Sequence, residues 1–348
     1  MNRASLRYLR YAVQAAFLIL TLIAGYQFYH FVLHFKSPGN PLVQRPPSVD
    51  AFLPIAGLIS FKHFLFTGSI DPVHPAAFVM FVAIIAVSLL LKKGFCGWIC
   101  PVGTVSQYFW MAGEKVFRGN FRIPKYADIA IRSIKYILMA FFLVFIGVMM
   151  SPGAVAAFLR SDYLKIADVK TMQFFTTMSD GTLWFLIATG GLSLAYKNFW
   201  CRYLCPYGAL LGLLSRLSPV KVRRIENNCS HCHACSRHCP ALIDVEKQDV
   251  VTSAECFGCL TCVSRCRAKG ALDVTVGSFS KRKVFSPYIF YPLLLIVVFY
   301  LIIGAGMLAG KWNSALDYRE YQRLIPAAGE MSHPTSFGGP ASSGPRTD

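Results

Sequence analysis

Residues 95–103 read FCGWICPVG, and residues 200–208 read WCRYLCPYG. With the two stretches superposed, Cys96 falls on Cys201, Cys100 on Cys205, Pro101 on Pro206 and Gly103 on Gly208. Each copy follows an apolar run and at least one lysine. The chain therefore carries an internal repeat, placed twice where a hydrophobic segment ends.

Around this repeat the chain reads as lipid-embedded. Of 348 residues, 55% are hydrophobic and 15% charged, with a mean hydropathy of +0.47. Soluble domains carry about 25% charged residues. Apolar runs at about 12–34, 76–91, 136–152, 183–196 and 288–308 predict five spans; the first, third and fifth meet the ~17–25 residues a spanning helix needs, and the other two need a turn from their neighbours. Ala51–Phe66, broken by Pro54, Gly57 and Lys62, reads as an interfacial or re-entrant segment. The first run follows Arg3, Arg7 and Arg10 and has no clean small-residue cleavage site, so it reads as a retained signal anchor.

Five spans with an inside amino terminus put 25 Lys and Arg on the cytoplasmic side and 10 outside. The positive-inside rule selects this orientation, with the carboxy terminus periplasmic. The net charge of +18 is then mostly a topology signal, supplemented by attraction to anionic membrane lipid. Nothing else supports a nucleic-acid role.

Eight of the twelve cysteines lie in two runs. CSHCHACSRHCP supplies Cys229, Cys232, Cys235 and Cys239, and CFGCLTCVSRC supplies Cys256, Cys259, Cys262 and Cys266. Both follow the C-x2-C-x2-C-x3-C spacing that ligates cubane iron–sulfur clusters, in which the fourth cysteine reaches the other cluster. The reading is two [4Fe-4S] clusters, one on Cys229, Cys232, Cys235 and Cys266, the other on Cys239, Cys256, Cys259 and Cys262. Zinc favours separated cysteine pairs around one ion, and disulfides are disfavoured in a reducing cytoplasm. Arg267 stands where a proline commonly follows the last cysteine. Val220–Ile225 and Ala271–Val276 flank the runs and are expected to pair as strands, and His231, His233 and His238 are expected to be exposed near the clusters.

The remaining cysteines are Cys96, Cys100, Cys201 and Cys205, all at matched positions of the repeat. Proline suits the first helical position, so Cys100 and Cys205 are expected to cap helices over Thr104–Val116 and Ala209–Leu217. A thiol at a helix N-terminus has a lowered pKa and favours the metal-binding thiolate. Buried packing is the bland alternative. An additional redox or metal site is the functional one: a further cluster, a dithiol pair, or soft-metal binding such as copper.

Two membrane-edge C-x3-CP motifs followed by a two-cluster run resemble the polytopic membrane ferredoxins, over roughly residues 50–275. That family includes NapH, the carboxy-terminal half of NosR, the FixG/RdxA/CcoG proteins and YccM-like electron-transport proteins. The fifth span and short tail make the YccM-like layout the nearest. The resemblance implies electron transfer at the bacterial inner membrane, with the quinol pool and a partner protein such as a periplasmic reductase or a maturation pathway. Its rivals are a copper-centre assembly factor and a membrane redox sensor.

An acceptor in or across the membrane focuses attention on histidines near the outer face. His30 and His34 share a helical face, and His63 and His74 lie in the adjacent loop. They form a candidate quinone or haem site; interfacial histidines among aromatic-belt residues are the plainer reading. Asp71 is either a proton acceptor there or a solvated turn residue.

The fold class expected is thus an α-helical polytopic membrane protein with an inserted α+β bacterial-type 2[4Fe-4S] ferredoxin module. Residues 1–217 form the membrane domain with both repeats, 218–280 the cytoplasmic ferredoxin domain, 281–310 the last transmembrane helix, and 311–348 a periplasmic tail, disordered from about 329. DYREYQ, residues 317–322, is expected along the outer surface.

Overall fold

The computed structural model describes residues 3–37, 39–268, 270–276 and 287–331. It is mostly helical and divides into two compact units. Unit 1 comprises Met1–Gly25, Val82–Phe141 and Met178–Ala305; unit 2 comprises Tyr26–Phe81, Phe142–Thr177 and Gly306–Asp348.

Among the described residues, Ser5–Lys36, Tyr126–Met149 and Phe290–Leu308 are long and apolar enough to cross a membrane. Pro75–Leu90 and Asp180–Ala195 are helices of 16 residues each. Sixteen residues rise about 24 Å, short of the ~30 Å hydrocarbon core. The third apolar run belongs to a helix that begins earlier than hydropathy suggests, at Lys125. Its polar first turns are helical because their charges are used. Asp128 accepts from Arg202 Nε (2.9 Å) and Nη2 (2.8 Å) and from the Tyr203 hydroxyl, and Lys135 pairs with Glu255.

In unit 1 the helix Pro101–Val116 lies against Asp180–Ala195. Gly113 permits the approach, since a Cβ there would sit 1.8 Å from the Leu194 carbonyl oxygen. The expected strands do pair. β1 (Val220–Arg224) is the centre of a three-stranded antiparallel sheet between β2 (Val250–Val251) and β3 (Leu272–Val276), with Val222 opposite both Val251 and Val274. The short β2 was not foreseen, because two residues carry no readable period. Short helices at Ala234–Arg237 and Thr261–Arg265 complete this region.

In unit 2 the segment expected to be interfacial forms a short 3-10 turn, Pro47–Phe52, and a helix, Pro54–Thr67. Lys62 is buried and donates to the carbonyls of Ile146 (2.8 Å), Gly147 (3.1 Å) and Met150 (2.5 Å). It satisfies carbonyls left over where the chain widens into a π-turn at Phe145–Met149. DYREYQ is mostly exposed, at Asp317, Tyr318, Arg319 and Gln322. It opens the helix Tyr318–Leu324, whose Tyr321 and Leu324 are buried in a core with Phe28, Phe31 and Val32. Tyr at position 321 and Leu at 324 are i, i+3 neighbours, so one face of a polar-looking helix is apolar. Pro326–Gly329 forms a further turn, and the tail expected to be disordered lies, from residue 332, outside the described residues, as do 281–286.

Candidate functional site

The two repeats share one backbone device. In each, the N–H of the second cysteine reaches back five residues: Cys100 to the Phe95 carbonyl (2.9 Å), Cys205 to the Trp200 carbonyl (3.0 Å). Each of these cysteines then caps a helix with proline at its first position, as expected, over Pro101–Val116 and Pro206–Leu214. At Cys205 the sulfur also accepts the Gly208 N–H at 3.2 Å.

This device brings Cys96, Cys100, Cys201 and Cys205 within electrostatic reach of one another. Burial pushes the thiols of Cys96, Cys100 and Cys201 up, Cys100 to about 11. The N–H groups of Gly103 and Val102 pull Cys100 down, but burial outweighs them. The lowered pKa expected of this helix start is therefore not what the fold produces: the helix end is present, but the effect of burial is larger. Thiols held neutral must release protons when they bind a metal.

The ferredoxin-like runs wrap two cavities. Each triplet turns through two left-handed residues at matching places, His231 and His233 in the first, Gly258 and Leu260 in the second. One cavity is lined by Cys239, Cys256, Cys259 and Cys262 among Val222, Ile243, Val245, Val251 and Leu260. The other is lined by Cys229, Cys232, Cys235 and Cys266 with Arg224 and Glu246. Each thus joins one triplet to the far cysteine of the other run. Among the described residues no three His, Cys, Asp or Glu side chains converge on a position for a single metal ion. A cubane spreads its four thiolates over a larger group, so four-cysteine cavities of this kind fit a cluster better than an ion. His231 and His233 are exposed beside Glu226 and Glu246, as expected.

Both C-x3-CP repeats pack directly on the loops of the first cavity. Trp98 Nε1 donates to the Gly258 carbonyl (3.0 Å), and a Cβ at Gly97 would lie 2.7 Å from the Phe257 carbonyl oxygen. From the second repeat, Asn198 Nδ2 donates to Pro240 O (3.0 Å), Lys197 Nζ to Arg237 O (3.2 Å) and Arg202 Nη1 to Ala241 O (2.5 Å). Arg10, buried, ties the first helix to this junction through Gly97 O (3.0 Å), Thr261 Oγ1 (3.0 Å) and Gln107 Oε1 (2.5 Å). Thr261 Oγ1 lies 3.3 Å from Cys259 Sγ.

The Lys92–Lys93 pair, which charge counting assigns to the membrane surface, is buried instead, at 2% and 0% exposure. Glu255 is buried beside it. Burial would raise the Glu255 carboxyl, but the Lys93 and Lys135 charges hold it below its ordinary value.

The four outer histidines all belong to unit 2 but are employed separately. His74 is buried; Nδ1 lies 3.1 Å from Asp50 Oδ1 and Nε2 2.8 Å from the Leu164 carbonyl oxygen. Both ring nitrogens thus have partners, and Arg45 Nη2 also lies 3.4 Å from Nδ1. Burial would lower its pKa, but Asp50 raises it overall; Arg45 and His74 in turn hold the buried Asp50 below its ordinary value. Arg45 also pairs with Asp168 at 2.8 Å. Asp71 is not solvated: it is buried and accepts the His74 N–H at 3.0 Å, and burial raises its carboxyl. His34 donates Nδ1–H to the Asn40 carbonyl (2.6 Å), and its Nε2 meets the Tyr318 hydroxyl (3.0 Å). His63 approaches Ser69 Oγ at 3.4 Å, and His30 packs on the rings of Tyr26 and Tyr29. A haem or quinone site drawn from all four is not what this arrangement gathers, since His34 and His74 have no ring nitrogen free of a partner. The buried ion cluster is not legible in the sequence because Arg45 and Asp50, five residues apart, meet Asp168 only 123 residues further on.

Residues 73–124 and 181–225, one stretch around each repeat, match the family described as a 4Fe-4S binding domain. Residues 221–267 match a 4Fe-4S dicluster domain. YccM of Escherichia coli K12, named for electron transport, is 38% identical over 327 residues, 93% of this chain and 91% of that protein. The chain belongs to the membrane 4Fe-4S ferredoxin-type family. Two other relatives are more distant. NapH of Escherichia coli, named a ferredoxin-type protein, is 24% identical over 72% of this chain and 83% of its own. The regulatory protein NosR of Pseudomonas aeruginosa is 28% identical over 60% of this chain and 29% of its own. No solved structure matches. Membership places iron–sulfur electron transfer at a membrane as the family's business, and the 4Fe-4S matches cover all twelve cysteines.

Proposed function

We propose that this chain is an inner-membrane electron-transfer protein carrying two [4Fe-4S] clusters, one on Cys229, Cys232, Cys235 and Cys266, the other on Cys239, Cys256, Cys259 and Cys262. The observation that carries the reading is the lining of the two cavities, each by one triplet and the crossed-over fourth cysteine. Bound there, a cubane takes up or releases one electron, and the surroundings set its potential. The residues of this chain supply ligands, burial and orientation.

Cys96, Cys100, Cys201 and Cys205 form a further thiolate redox or metal site in this reading, next to the Cys239 cavity. Three helices long and apolar enough to cross a membrane, with the shorter apolar helices Pro75–Leu90 and Asp180–Ala195, support five spans. The lysine and arginine bias supports a cytoplasmic ferredoxin region and amino terminus and a periplasmic carboxy terminus. Electrons then pass between a cytoplasmic donor or the quinol pool and a periplasmic reductase or maturation partner. Buried His74, hydrogen-bonded to Asp50, and buried Asp71 supply titratable groups for the quinol alternative.

Iron and acid-labile sulfide analysis with EPR tests this on anaerobically purified protein, beside a variant with Ser at all four repeat cysteines. The expected parent content is at least about eight irons. Iron lost only in the variant assigns a cluster to the repeat. Equal content leaves the repeat a dithiol or soft-metal site, and a fully loaded parent with fewer than about eight irons defeats the two-cluster reading.

A further inference from the structure

Lys92 and Lys93 are enclosed by protein, and neither Nζ has a hydrogen-bond partner among the described residues. Buried ammonium groups are kept only where an anion repays their lost hydration. The nearby carboxylate serves Lys93 only in part: Glu255 feels the Lys93 charge, but its hydrogen bonds come from Lys135 Nζ at 2.8 and 2.7 Å and from the Tyr136 hydroxyl at 3.0 Å. Lys93 Nζ stands 5.0 Å from the centre of the Phe257 ring, a contact that offsets part of the cost. Both lysines lie within electrostatic reach of Cys256, and Lys93 also of Cys96 and Cys201. Lys197, likewise buried, reaches Cys239 from the second repeat. The other cavity has cations of its own, but with carboxylates beside them: Arg224 reaches Cys229 and is paired with Glu226, Arg267 is within electrostatic reach of Cys232, and Cys235 Sγ lies 4.0 Å from a Glu246 carboxylate oxygen.

Resting on the two-cluster reading above, we infer that Lys92 and Lys93 are potential-setting residues: their ammonium groups are the counter-charge of the centre held by Cys239, Cys256, Cys259 and Cys262. Four thiolates around a cubane make a net anion, and reduction adds one more negative charge. A fixed cation close by stabilises the reduced form more than the oxidised form and so raises the potential. The lysines belong to the first repeat and the cysteines to the ferredoxin runs, so the membrane part of the chain tunes the soluble-type centre resting on it.

The test is EPR-monitored potentiometry of the full-length, cluster-loaded protein, reduced stepwise with dithionite, with iron and sulfide measured on every sample. Lys93→Met is expected to shift the reduction equilibrium of one cluster by about tenfold toward the oxidised form, 59 mV for a one-electron couple, and to leave the other cluster in place. Lys92→Met is expected to shift the same signal in the same direction. Glu255→Gln removes a neighbouring negative charge and is expected to raise that potential, an opposite sign that a merely structural role would not produce. The signal is assigned by its loss in Cys256→Ser. Fully loaded lysine variants with both potentials unchanged, or Glu255→Gln moving the potential downward, overturn the inference. If Lys93→Met does not hold iron, Lys92→Met and Glu255→Gln decide by their opposite signs. A parent with fewer than about eight irons fails the two-cluster reading itself, a result separable from an unshifted potential in loaded variants.

Discussion

Trp98 Nε1 donates to the carbonyl oxygen of Gly258 at 3.0 Å, joining the middle of the first C-x3-CP motif to the loop between Cys256 and Cys259. Gly97 beside it leaves no room for a side chain against Phe257. Gly97→Ala must push that loop aside, an overpacking cost of about 1–3 kcal/mol. The expected result is a lower Tm in detergent and iron lost first from the centre that includes Cys256. Trp98→Phe, which strands a buried carbonyl, is expected to cost about 1–3 kcal/mol by the same assay.

The crossed ligation makes a distinctive prediction. Cys266→Ser is expected to damage the centre shared with Cys229, although it lies in the second run, and Cys239→Ser the centre shared with Cys256. EPR of each variant, compared with Cys229→Ser and Cys256→Ser, checks the pairing. Spectra that group Cys266→Ser with Cys256→Ser would contradict it.

Unit 2 is expected to have its own pH dependence. The Asp50 carboxyl is held below its ordinary value, so its contribution is present above about pH 3.9 and is lost as pH falls through the lower folded value. His74 is raised, so its contribution is complete below about pH 6.5 and is lost as pH rises through the higher folded value. Stability is therefore expected to decline on the alkaline side, and His74→Gln to flatten that decline in a series of melts. Arg45→Met, which leaves two buried carboxylates facing each other, is expected to cost about 3–5 kcal/mol.

Lys62→Met removes the donor to three main-chain carbonyls at the end of a spanning helix. A charged hydrogen bond contributes about 1.5–3 kcal/mol, and a loss of that order is expected in thermal unfolding. Lys62→Arg is expected to recover part of it.

What the sequence discloses and what it hides follow from range. The cysteine spacings are local and chemically narrow, so the two runs, the repeat and the helix starts after Pro101 and Pro206 are all readable. So are β1 and β3, short valine-containing stretches that flank the cysteine runs. The polar start of the Lys125–Val144 helix is not, because its charges are neutralised by Arg202 and Glu255, about 70 and 120 residues away. The same reason hides Arg45–Asp50–Asp168 and turns Lys92–Lys93 from a surface signal into a buried pair. Composition counts charges but does not say what faces them. The histidines mislead in the opposite sense: proximity along the chain suggested one site, and the fold gives each ring its own partners.

The contacts of Trp98, Lys197, Asn198 and Arg202 with the cysteine loops have a kinetic corollary. A ferredoxin that diffuses to its partner must find it, and that search slows with salt and with solvent viscosity. Here both sets of cysteines lie in one compact unit, so under the proposed function no search precedes exchange between the centres they hold. That internal step should be indifferent to ionic strength and to added glycerol, leaving any such sensitivity to the meeting with an outside donor or acceptor.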